Sequence, residues 1–568
     1  MHVMTYAPFG AEGIIIRVEA DIRRGIPGVD ISGLAEGAVR EARERVRAAF
    51  RNSGYEFPPD RVLINLAPAG LRKEGAAMDL PIALAVMAAA GLAPVPDKLL
   101  VMGELELSGA VRPVRGVLAA VTAGLREGIR DFIVPAGNAR EAAILSGRPG
   151  SGQGGGSFAP VASLKEALHA LVLRAETGSL PELSFPAPSP PEADSPGSDG
   201  GSAPFADGPA PFTGGSASPP DFSEVRGQGR YKRALEIAAA GGHNLLVFGP
   251  PGSGKTMLAR SLPSIMAPLG PADAVEVTRL YSLAGLFGRG LITRPPFRSP
   301  HHSASAEGIL GGGRLIRPGE ISLAHLGVLF LDEAPEFRSN VLQALREPLE
   351  DGVITISRAE GPVKFPARFQ LVMAANACPC GRLGIREGGL GAAFDAGEAE
   401  EKPEDPEIPP ALSCLCSPEE VYRYWRRFGS SLLDRVELRV PALPPAAAEM
   451  GKGGGDSSAE IARRVCRALE IQRERLGPDP GFHPNARIPA ALLERCCPLT
   501  GRANAALRNA AIRLSLSGRA YHGVLRVGRT IADLEGRDSI DAPHIAEALD
   551  FRRPGDDPYD ILAAEKYR

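Results

Sequence analysis

The segment NLLVFGPPGSGKTMLA, which begins at Asn244, constrains the fold of this chain more than any other stretch. An apolar run leads into a glycine-rich turn, and the residues after the turn are typical of a helix. The turn matches the pattern G-x-x-x-x-G-K-[ST] from Gly249 to Thr256. Such glycines let backbone N–H groups face a phosphate, and the start of the helix adds positive potential. The segment therefore predicts an α/β sheet with a phosphate-binding loop.

The side chains of this loop predict a site for ATP and Mg²⁺. Lys255 should reach the β- and γ-phosphates, and the hydroxyl of Thr256 should bind the metal. A chance glycine-rich turn is the competing interpretation, but the adjoining strand, helix and Lys-Thr pair argue against it. The residues expected to surround the nucleotide are Gly249, Pro250, Pro251, Gly252, Ser253, Gly254, Lys255 and Thr256.

Two later apolar runs each end in polar residues that predict further catalytic groups. In GVLFLDEAPEF, a buried strand should deliver Asp332 to the metal, and Glu333 can polarise the attacking water. The run FQLVMAAN ends at Asn376. A polar side chain at the carboxyl end of a parallel strand points into the nucleotide crevice, where it can hold that water.

Two arginines are candidates for stabilising the charge of the transition state. Arg435 lies in SSLLDRVEL, and in a ring-forming ATPase it would reach the γ-phosphate of a neighbouring subunit. Arg519 begins a strongly helical stretch near the C-terminus and could close on the phosphates. Three further arginines, Arg513, Arg526 and Arg529, lie on neighbouring turns and leave the choice of this second arginine open.

Composition places the chain among soluble globular proteins. Its 568 residues predict about three or four domains. It is 44% hydrophobic, and its net charge of −3 gives no overall basic field for nucleic acid. Because no apolar run approaches the ~20 residues of a membrane span, we expect a cytoplasmic protein without a membrane partner. Its 7 cysteines should then be thiols or metal ligands.

Changes in composition divide the chain into four parts. Residues 1–173 alternate short apolar strands with helical stretches, which predicts an α/β domain. Residues 174–221 are rich in Pro, Gly, Ser and Ala and predict a flexible linker. A nucleotide-binding core is expected at 222–445, interrupted by an acidic insertion at 383–412, and a helical domain at 446–568. We find no repeat of fixed period.

Hydrophobic periodicity predicts individual elements in the first domain. Strands are expected at Gly13 to Val18, Arg61 to Asn65 and Phe132 to Val134. A helix is expected at Gly37 to Asn52, where charged residues form one face and Val, Ala and Phe the other. A second helix is expected at Asp79 to Ala90.

Two cysteine pairs flank the acidic insertion. Cys378 and Cys380 precede it, and Cys414 and Cys416 follow it. Two C-x-C pairs can supply four thiolates for a tetrahedral Zn²⁺. This spacing is less common for zinc than C-x₂-C, so four reduced thiols remain an equal alternative.

Candidate DNA contacts lie in two basic segments. EDGVITISRAEGPVKFPARF reads as a hairpin with Arg358 and Lys364 near its tip, where basic side chains would suit phosphate tracking. A solvated surface turn is the alternative. The loop RPPFRSPHHSASAEG adds Arg298. A third basic stretch, VYRYWRRF, is read as an amphipathic helix in preference to a DNA contact.

The order of these motifs resembles a known family. VRGQ, GPPGSGKT, PFRSPHHSASAEGILGGG, PGEISLAHLGVLFLDEAPEF, CPCG, LLDRVEL and RVGRTIADLEG are similar to the magnesium-chelatase-like AAA+ ATPases of the YifB/ComM family. The resemblance implies an AAA+ core with a helical lid and a homohexameric ring. It also implies DNA helicase and branch-migration activity on single-stranded or branched DNA. By motif, Arg435 would be the arginine finger and Arg519 sensor 2, and Gly227 and Gln228 would lie near the adenine.

The first domain resembles the proteolytic domain of Lon-type proteases over residues 62–144. At the position of the nucleophilic serine this chain has Ala77, and at that of the catalytic lysine it has Leu118. A Ser–Lys dyad needs a hydroxyl and an amine, so neither residue can serve. Lys73 and Ser108 are close in sequence but match neither position. We therefore expect the fold of a protease domain without its activity.

Three functions compete at this stage. An ATP-driven DNA motor is favoured by the family resemblance. A chelatase-like remodelling ATPase that acts on a protein partner would use the same nucleotide site. An ATP-dependent protease is opposed by Ala77 and Leu118.

Overall fold

The computed structural model describes residues 2–33, 37–70, 73, 76–145, 156–180, 220–288, 290–313, 316–357, 361–382, 414–443, 455–477 and 484–552. The predicted acidic insertion and most of the predicted linker lie outside these ranges. Within them, every helix falls short of the length and apolarity that a bilayer span requires.

The N-terminal unit is built on a seven-stranded mixed sheet with the order β3-β4-β2-β1-β5-β8-β9. Apolar side chains on both faces of this sheet are buried against helices. The strands of this unit are β1 His2–Ala7, β2 Ile14–Arg23, β3 Gly28–Ser32, β4 Arg61–Ala67, β5 Leu99–Val101, β6 Glu104–Leu105, β7 Val111–Arg112, β8 Asp131–Pro135 and β9 Ser157–Val161. Strands β6 and β7 form a separate two-stranded sheet. The helices of this unit are α1 Gly37–Asn52, α2 Asp79–Ala89, α3 Val117–Arg126, α4 Ala139–Ala143 and α5 Leu164–Thr177.

The second unit is built on a five-stranded sheet, β11-β14-β17-β10-β18, in which all neighbouring strands are parallel. The strands of this unit are β10 Leu245–Phe248, β11 Phe297–Arg298, β12 Gly311–Gly312, β13 Arg317–Pro318, β14 Val328–Leu331, β15 Val353–Ile356, β16 Val363–Pro366, β17 Gln370–Ala375 and β18 Leu438–Pro441. Strands β12 and β13 form one separate two-stranded sheet, and β15 and β16 form another. The helices of this unit are α6 Gly229–Gly241, α7 Lys255–Ser261, α8 Pro271–Ala284, α9 Ala306–Leu310, α10 Glu320–Leu323, α11 Ser339–Ala344, α12 Arg346–Asp351, α13 Pro418–Trp425 and α14 Ser430–Leu433.

The elements that the structure describes after residue 455 are helices, joined by turns and by one isolated bridge between Leu499 and Ile540. The α-helices are α15 Ser458–Leu476, α16 Leu493–Cys496, α17 Gly501–Arg513, α18 Gly518–Leu534 and α19 Ala542–Asp550. Helices α15 and α18 share one apolar core with α6 and β10. Polar contacts support this packing, because Gln472 donates to the carbonyl of Ala240 at 2.9 Å and His243 lies 2.8 Å from the hydroxyl of Thr530.

The parallel sheet explains how the candidate site is assembled. Strands β10, β14 and β17 are buried along their whole length. Apolar residues fill the strands because helices cover both faces of a parallel sheet. Polar residues follow each strand at its carboxyl end, and parallel strands bring these ends to one edge.

The N-terminal unit packs against α8 of the second unit. The hydroxyl of Ser282 donates to the buried carboxylate of Glu141, and the N–H of Gly116 donates to the carbonyl of Ser282 at 3.2 Å. Leu283 completes an apolar cluster of the N-terminal unit. Helix α8 is thus one of the places where the second unit contacts the N-terminal unit.

Most predicted elements are present, with some different ends. The predicted helix over Gly37 to Asn52 is confirmed. The strand predicted at Gly13 to Val18 instead runs from Ile14 to Arg23, because β2 continues pairing with β4 as far as Arg23. Helix α5 extends to Thr177, beyond the domain end predicted at residue 173, and Gly178 ends it with φ of 82°.

Candidate functional site

The phosphate loop connects β10 to α7 as the sequence predicts. Gly252 and Gly254 have φ of 77° and 79°, a backbone region that glycine enters without steric cost. A side chain at Gly249 would meet the carbonyl oxygen of Ala442 at 2.3 Å. Nothing lies within 4 Å of where a Cβ would stand at Gly252 or Gly254. The loop is therefore an open cradle of the kind that admits phosphate oxygens.

Lys255 is buried at the start of α7, directly under this loop. Its Nζ donates to the carbonyls of Gly249 at 2.9 Å and Pro250 at 2.7 Å, and it lies 3.4 Å from Oδ1 of Asn376. Burial lowers the pKa of Lys255, while the charges of Asp332 and Glu333 oppose that shift. The predicted neighbours Lys255 and Asn376 are thus brought together.

The residues predicted to bind Mg²⁺ also meet. The hydroxyl of Thr256 donates to Oδ2 of Asp332 at 2.9 Å, although 76 residues separate them. A hydroxyl and a carboxylate are hard oxygen donors of the kind that Mg²⁺ prefers, usually with phosphate oxygens and water as its other ligands. Thr256 and Asp332 therefore fit the metal, which would neutralise phosphate charge when it is bound.

Glu333 follows Asp332 in an unusual backbone conformation. Its φ of 48° lies in the left-handed region, where a non-glycine residue costs roughly 1–3 kcal/mol. The strain turns the chain at the end of β14, so that Glu333 is exposed while Asp332 is partly buried. His302 approaches Glu333 with Nδ1 3.8 Å from Oε2. This exposed carboxylate is free to polarise a water beside the phosphates.

The residues predicted to lie near the adenine, Gly227 and Gln228, are next to the same loop. Gln228 adopts φ of 60° and its Nε2 donates to the carbonyl of Ser253 at 2.9 Å and to that of Leu443. Gly227 precedes it with φ of 62°. The hydroxyl of Tyr231, one turn later, donates to the carbonyl of Lys255 at 3.0 Å.

The side chains of Arg435 and Arg519 both bind Glu350, away from the phosphate loop of their own chain. Nη2 of Arg435 lies 2.6 Å from Oε1 of Glu350, and Arg519 pairs with the same oxygen. The carbonyl of Arg435 accepts from Asn244, the residue before β10, at 2.9 Å. The phosphate loop begins at the other end of this four-residue strand, roughly 13 Å away. The arginine pair therefore lies at the amino edge of the sheet.

Glu350 was not found by the sequence analysis. Partial burial by itself would raise its pKa, but hydrogen bonds and charge from Arg435 and Arg519 hold the pKa of Glu350 below its ordinary value. An acidic residue on a short helix carries no local signal of such a role. Only the tertiary structure brings α12, the turn before β18 and the start of α18 together.

The other lid arginines have partners of their own. Arg526 donates to the carbonyl of Ile488 at 2.7 Å, and buried Arg529 lies 3.0 Å from Asp533. Arg519, by contrast, is exposed at the N-terminal turn of α18. The helix predicted to carry Arg519 is confirmed, but in this chain Arg519 does not contact its own phosphate loop.

The predicted DNA contacts have three different outcomes. Strands β15 and β16 form the predicted antiparallel hairpin, and Lys364 is exposed on it. Arg358 lies outside the described residues. The prediction for Arg298 is wrong, because Arg298 is 2% exposed and binds both carboxylate oxygens of Glu320 at 2.6 Å. A buried, paired guanidinium cannot reach DNA, and the surrounding loop gave no sign of this pairing.

The first five residues of VYRYWRRF form the end of an amphipathic helix, α13, which is the interpretation that the sequence favoured. Its tryptophan, Trp425, is fully buried and packs edge-on against Phe248 with ring centroids 5.6 Å apart. The indole N–H donates to the carbonyl of Ala377 at 3.0 Å. The helix therefore supports the strand that carries Asn376.

The four cysteines that flank the acidic insertion come together. Their sulfur atoms all lie within 4.8 Å of one another. The Sγ of Cys378 lies 3.3 Å from that of Cys380 and 3.5 Å from that of Cys414, and Cys380 lies 3.6 Å from Cys414. All are free thiols. This group could hold a metal ion.

Comparison with known proteins identifies the family. Family profiles match residues 221–392 (magnesium chelatase, subunit ChlI), 18–138 (subunit ChlI of Mg-chelatase) and 455–552 (magnesium chelatase, subunit ChlI C-terminal). Because it is 36–39% identical to YifB, ComM and a related mycobacterial protein over 96–97% of its length, the chain belongs to the YifB/ComM family of magnesium-chelatase-like proteins. It is thus an AAA+-type ATPase by family.

Several relatives match over nearly their full length. An uncharacterized protein of Mycobacterium tuberculosis is 39% identical over 551 residues, which cover 96% of this chain and 97% of that protein. The uncharacterized protein YifB of Escherichia coli is 38% identical over 558 residues, 97% of this chain and 96% of its own. The competence protein ComM of Haemophilus influenzae is 36% identical over 555 residues, 97% of both chains.

One shorter match is to a protease. A Lon protease of Geobacter metallireducens is 26% identical over 145 residues, which cover 24% of this chain and 17% of that protease. At the two predicted dyad positions, Leu118 is fully buried in α3, and Ala77 lies in a short 3₁₀ helix before α2.

Proposed function

We propose that this chain is the subunit of a ring-shaped motor that hydrolyses ATP to unwind DNA or migrate DNA branches. The observation that carries ATP hydrolysis is the convergence of Lys255, Thr256, Asp332 and Asn376 at the carboxyl ends of β10, β14 and β17. The assignment to DNA rests on the family, since one full-length relative is a competence protein.

Assembly into a homohexamer is part of this proposal. Arg435 and Arg519 lie at the amino edge of the sheet, on the opposite side from the phosphate loop of their own chain. A guanidinium stabilises the charge of phosphoryl transfer only when it reaches the γ-phosphate. Placement at the far edge favours action on a neighbouring subunit. In this arrangement both arginines would exchange Glu350 for the neighbour's phosphates.

The hairpin of β15 and β16 is the proposed DNA contact. Lys364 is exposed on it, and Arg358 lies between the two strands in the sequence. Lysine and arginine side chains on such a hairpin can follow a phosphate backbone without reading its sequence.

The N-terminal unit is proposed to position the motor and not to cut protein. The N–H of Ala11 donates to the carbonyl of Lys364 at 3.2 Å, and a side chain at Gly10 would meet the same oxygen at 2.7 Å. Through α8 and this hairpin, the unit contacts two separate parts of the ATPase unit. A Lon-like fold without a hydroxyl at Ala77 or an amine at Leu118 supports assembly or substrate guidance.

A protein client is the competing substrate. The observation that favours it is the burial of Arg298, which removes one of the three basic residues expected to face DNA. A remodelling ATPase would keep the same nucleotide site and the same arginine pair.

The deciding experiment measures ATP hydrolysis by the full chain without DNA, with single-stranded DNA and with a four-way junction. A strand-migration assay on the junction runs beside it. We expect stimulation by DNA and movement of the branch. A double variant, Arg358→Ala with Lys364→Ala, should lose stimulation while basal hydrolysis persists, and its salt dependence should weaken by about one unit of slope per lost contact.

The matched control is Lys98→Ala, which removes an exposed lysine of the N-terminal unit remote from the hairpin. It should leave stimulation unchanged. A hexamer that hydrolyses ATP but shows neither DNA stimulation nor branch migration would refute the DNA motor in favour of a protein client.

A further inference from the structure

The four cysteines form a closed set of sulfur donors. Around a Zn²⁺ ion with bonds of about 2.3 Å, the sulfurs of a tetrahedron stand about 3.8 Å apart. Here the Sγ separations among Cys378, Cys380 and Cys414 are 3.3, 3.5 and 3.6 Å, and Cys416 completes the group within 4.8 Å. The three separations are slightly shorter than those of the tetrahedron, so a small adjustment of the sulfurs, outward for these three, would bring all four to bonding distance of one ion.

The arrangement is closer to a metal site than to a disulfide. Bonded sulfurs stand about 2.05 Å apart, and the shortest separation here is 3.3 Å. Three sulfurs are each near two or more others, whereas a disulfide pairs sulfurs two by two. Soft thiolate donors in a tetrahedral set select zinc or iron–sulfur chemistry over magnesium. Zinc is the simplest occupant, since it needs four ligands and no inorganic sulfide.

The cluster is attached directly to the nucleotide site. Cys378 is two residues beyond Asn376, whose amide lies 3.4 Å from Nζ of Lys255. The same turn returns to the phosphate loop, because a side chain at Gly381 would stand 3.0 Å from Cδ of Pro251. The segment from Asn376 to Gly381 therefore bridges the end of β17 and the phosphate loop.

The second cysteine pair leads into the helix that supports this bridge. Ser417, next to Cys416, caps α13 through the backbone N–H of Glu420. At the other end of α13, Trp425 is fully buried and holds the carbonyl of Ala377 at 3.0 Å. A metal that joins the two pairs would tie the start of α13 to the bridge at one end, while Trp425 ties it at the other.

We propose that Cys378, Cys380, Cys414 and Cys416 bind one Zn²⁺ ion that fixes Asn376 and Pro251 in place for ATP hydrolysis. Binding releases the thiol protons to solvent, and the ion remains at its site through turnover. The cysteines are positioning residues, since they act through the bridge. The kinetic part rests on the proposed ATPase, whereas the metal site stands without it.

The first test measures metal content of the full chain purified without a histidine tag and with thiols protected. Mass spectrometry of metals should find zinc at one ion per chain. Replacing zinc with Co²⁺ should give thiolate charge-transfer bands and the visible bands of a tetrahedral site. The double variant Cys380→Ser with Cys416→Ser should lose the metal and these bands, whereas Cys466→Ser, a half-buried cysteine on α15, should keep both.

Three outcomes of this test would overturn the site. They are zinc content that the double substitution leaves unchanged, iron in place of zinc, and a disulfide between Cys378 and Cys414 in protein purified with protected thiols.

The second test removes zinc with a chelator that is selective over magnesium and follows ATP hydrolysis with Mg²⁺ in excess. We expect kcat to fall between about 10-fold and about 100-fold, as for a catalytic group displaced by an ångström, with a smaller change in KM. Adding zinc should restore kcat. Unchanged kcat in zinc-free protein would refute the positioning role, and so would global unfolding on zinc removal. If the zinc-loaded hexamer hydrolyses no ATP, the proposed function fails while the metal site stands.

Discussion

Among the described residues, two lysines are buried, one in each α/β unit, and their first contacts are alike. Lys255 donates to the carbonyls of Gly249 and Pro250, and Lys73 donates to those of Gly33 and Pro68. In both residues burial lowers the pKa of the ammonium group.

The two lysines differ in what else converges on them. Lys255 also meets Asn376 at 3.4 Å and feels the charges of Asp332 and Glu333, because it lies where parallel strands end. Lys73 has backbone carbonyls as its hydrogen-bond acceptors. The positions predicted for a Lon-type dyad hold Ala77 and Leu118. A buried cation therefore marks a catalytic site only when other reactive groups face the same space.

Replacing each lysine by methionine, which keeps most of the volume, should separate the two roles. Lys255→Met should abolish ATP hydrolysis, a loss of at least ~10³-fold or about 4 kcal/mol of transition-state stabilisation. It should also cost about 1–3 kcal/mol of folding stability, because it leaves the carbonyls of Gly249 and Pro250 without their donor. Lys73→Met should leave two buried carbonyls without a donor and cost about 1–3 kcal/mol of folding stability, with kcat retained. Steady-state kinetics and thermal melts measure both. A Lys73→Met protein that folds normally but hydrolyses no ATP would break the comparison.

Variants of Arg435 test whether a charged group acts on the phosphate loop of a neighbouring subunit. Arg435→Ala should lower kcat by roughly 10³-fold, because an arginine finger stabilises transition-state charge. Mixing Arg435→Ala with Lys255→Met should restore part of the activity. In the mixed ring, an intact Arg435 from the lysine variant would face the intact phosphate loop of the arginine variant. No recovery on mixing, in rings shown to contain both chains, would place the arginine's action within its own subunit.

Glu333 tests whether the exposed carboxylate of the ATPase unit does chemistry. Glu333→Gln keeps the shape of the side chain but removes the charge that polarises water, so kcat should fall by roughly 10²-fold or more. ATP binding, measured with a fluorescent analogue, should persist. Glu336→Gln, which changes an exposed carboxylate paired with Arg427, is the control. Equal loss in both variants would contradict a specific role for Glu333.

The smallest expected effect concerns the joint between the two units. Burial raises the pKa of Glu141 above its ordinary value of 4.5, despite hydrogen bonds from Ser282, Leu118 and Asn138. The folded chain therefore keeps this proton to higher pH than the unfolded chain. Stability should fall as pH rises from about 4.5 through the raised pKa, by up to about 1.4 kcal/mol for each pH unit.

Glu141→Gln should remove this part of the pH dependence. The melting temperature of Glu141→Gln, measured relative to that of the wild type, should increase as the pH rises. Glu176→Gln, at an exposed glutamate on α5, should melt at the wild-type temperature at every pH. Parallel curves for wild type and Glu141→Gln would show that the carboxyl is not held protonated at this joint.

The sequence was most informative where local chemistry decides. The phosphate loop, the ends of β14 and β17, the hairpin of β15 and β16 and the extent of α1 were all predicted, because each depends on short-range patterns. It was misleading at Arg298, where a basic residue in a polar loop is indistinguishable from a buried one until Glu320 is placed beside it. The sequence also did not predict the full length of β2. This strand extends to Arg23 because it pairs with β4 over that whole length.

The sequence by itself determined the chemistry that this chain can perform: the residues that bind phosphate, the carboxylates beside them, four cysteines, and the missing dyad of the N-terminal unit. Only the tertiary structure decided which of these groups work together. It joined Thr256 to Asp332, placed Arg435 and Arg519 on one carboxylate at the far edge of the sheet, gathered four sulfurs, and set the bridge from Asn376 against Pro251. The reason is that side-chain identity is a local property, whereas distance between residues far apart in the chain is fixed by strand order and packing.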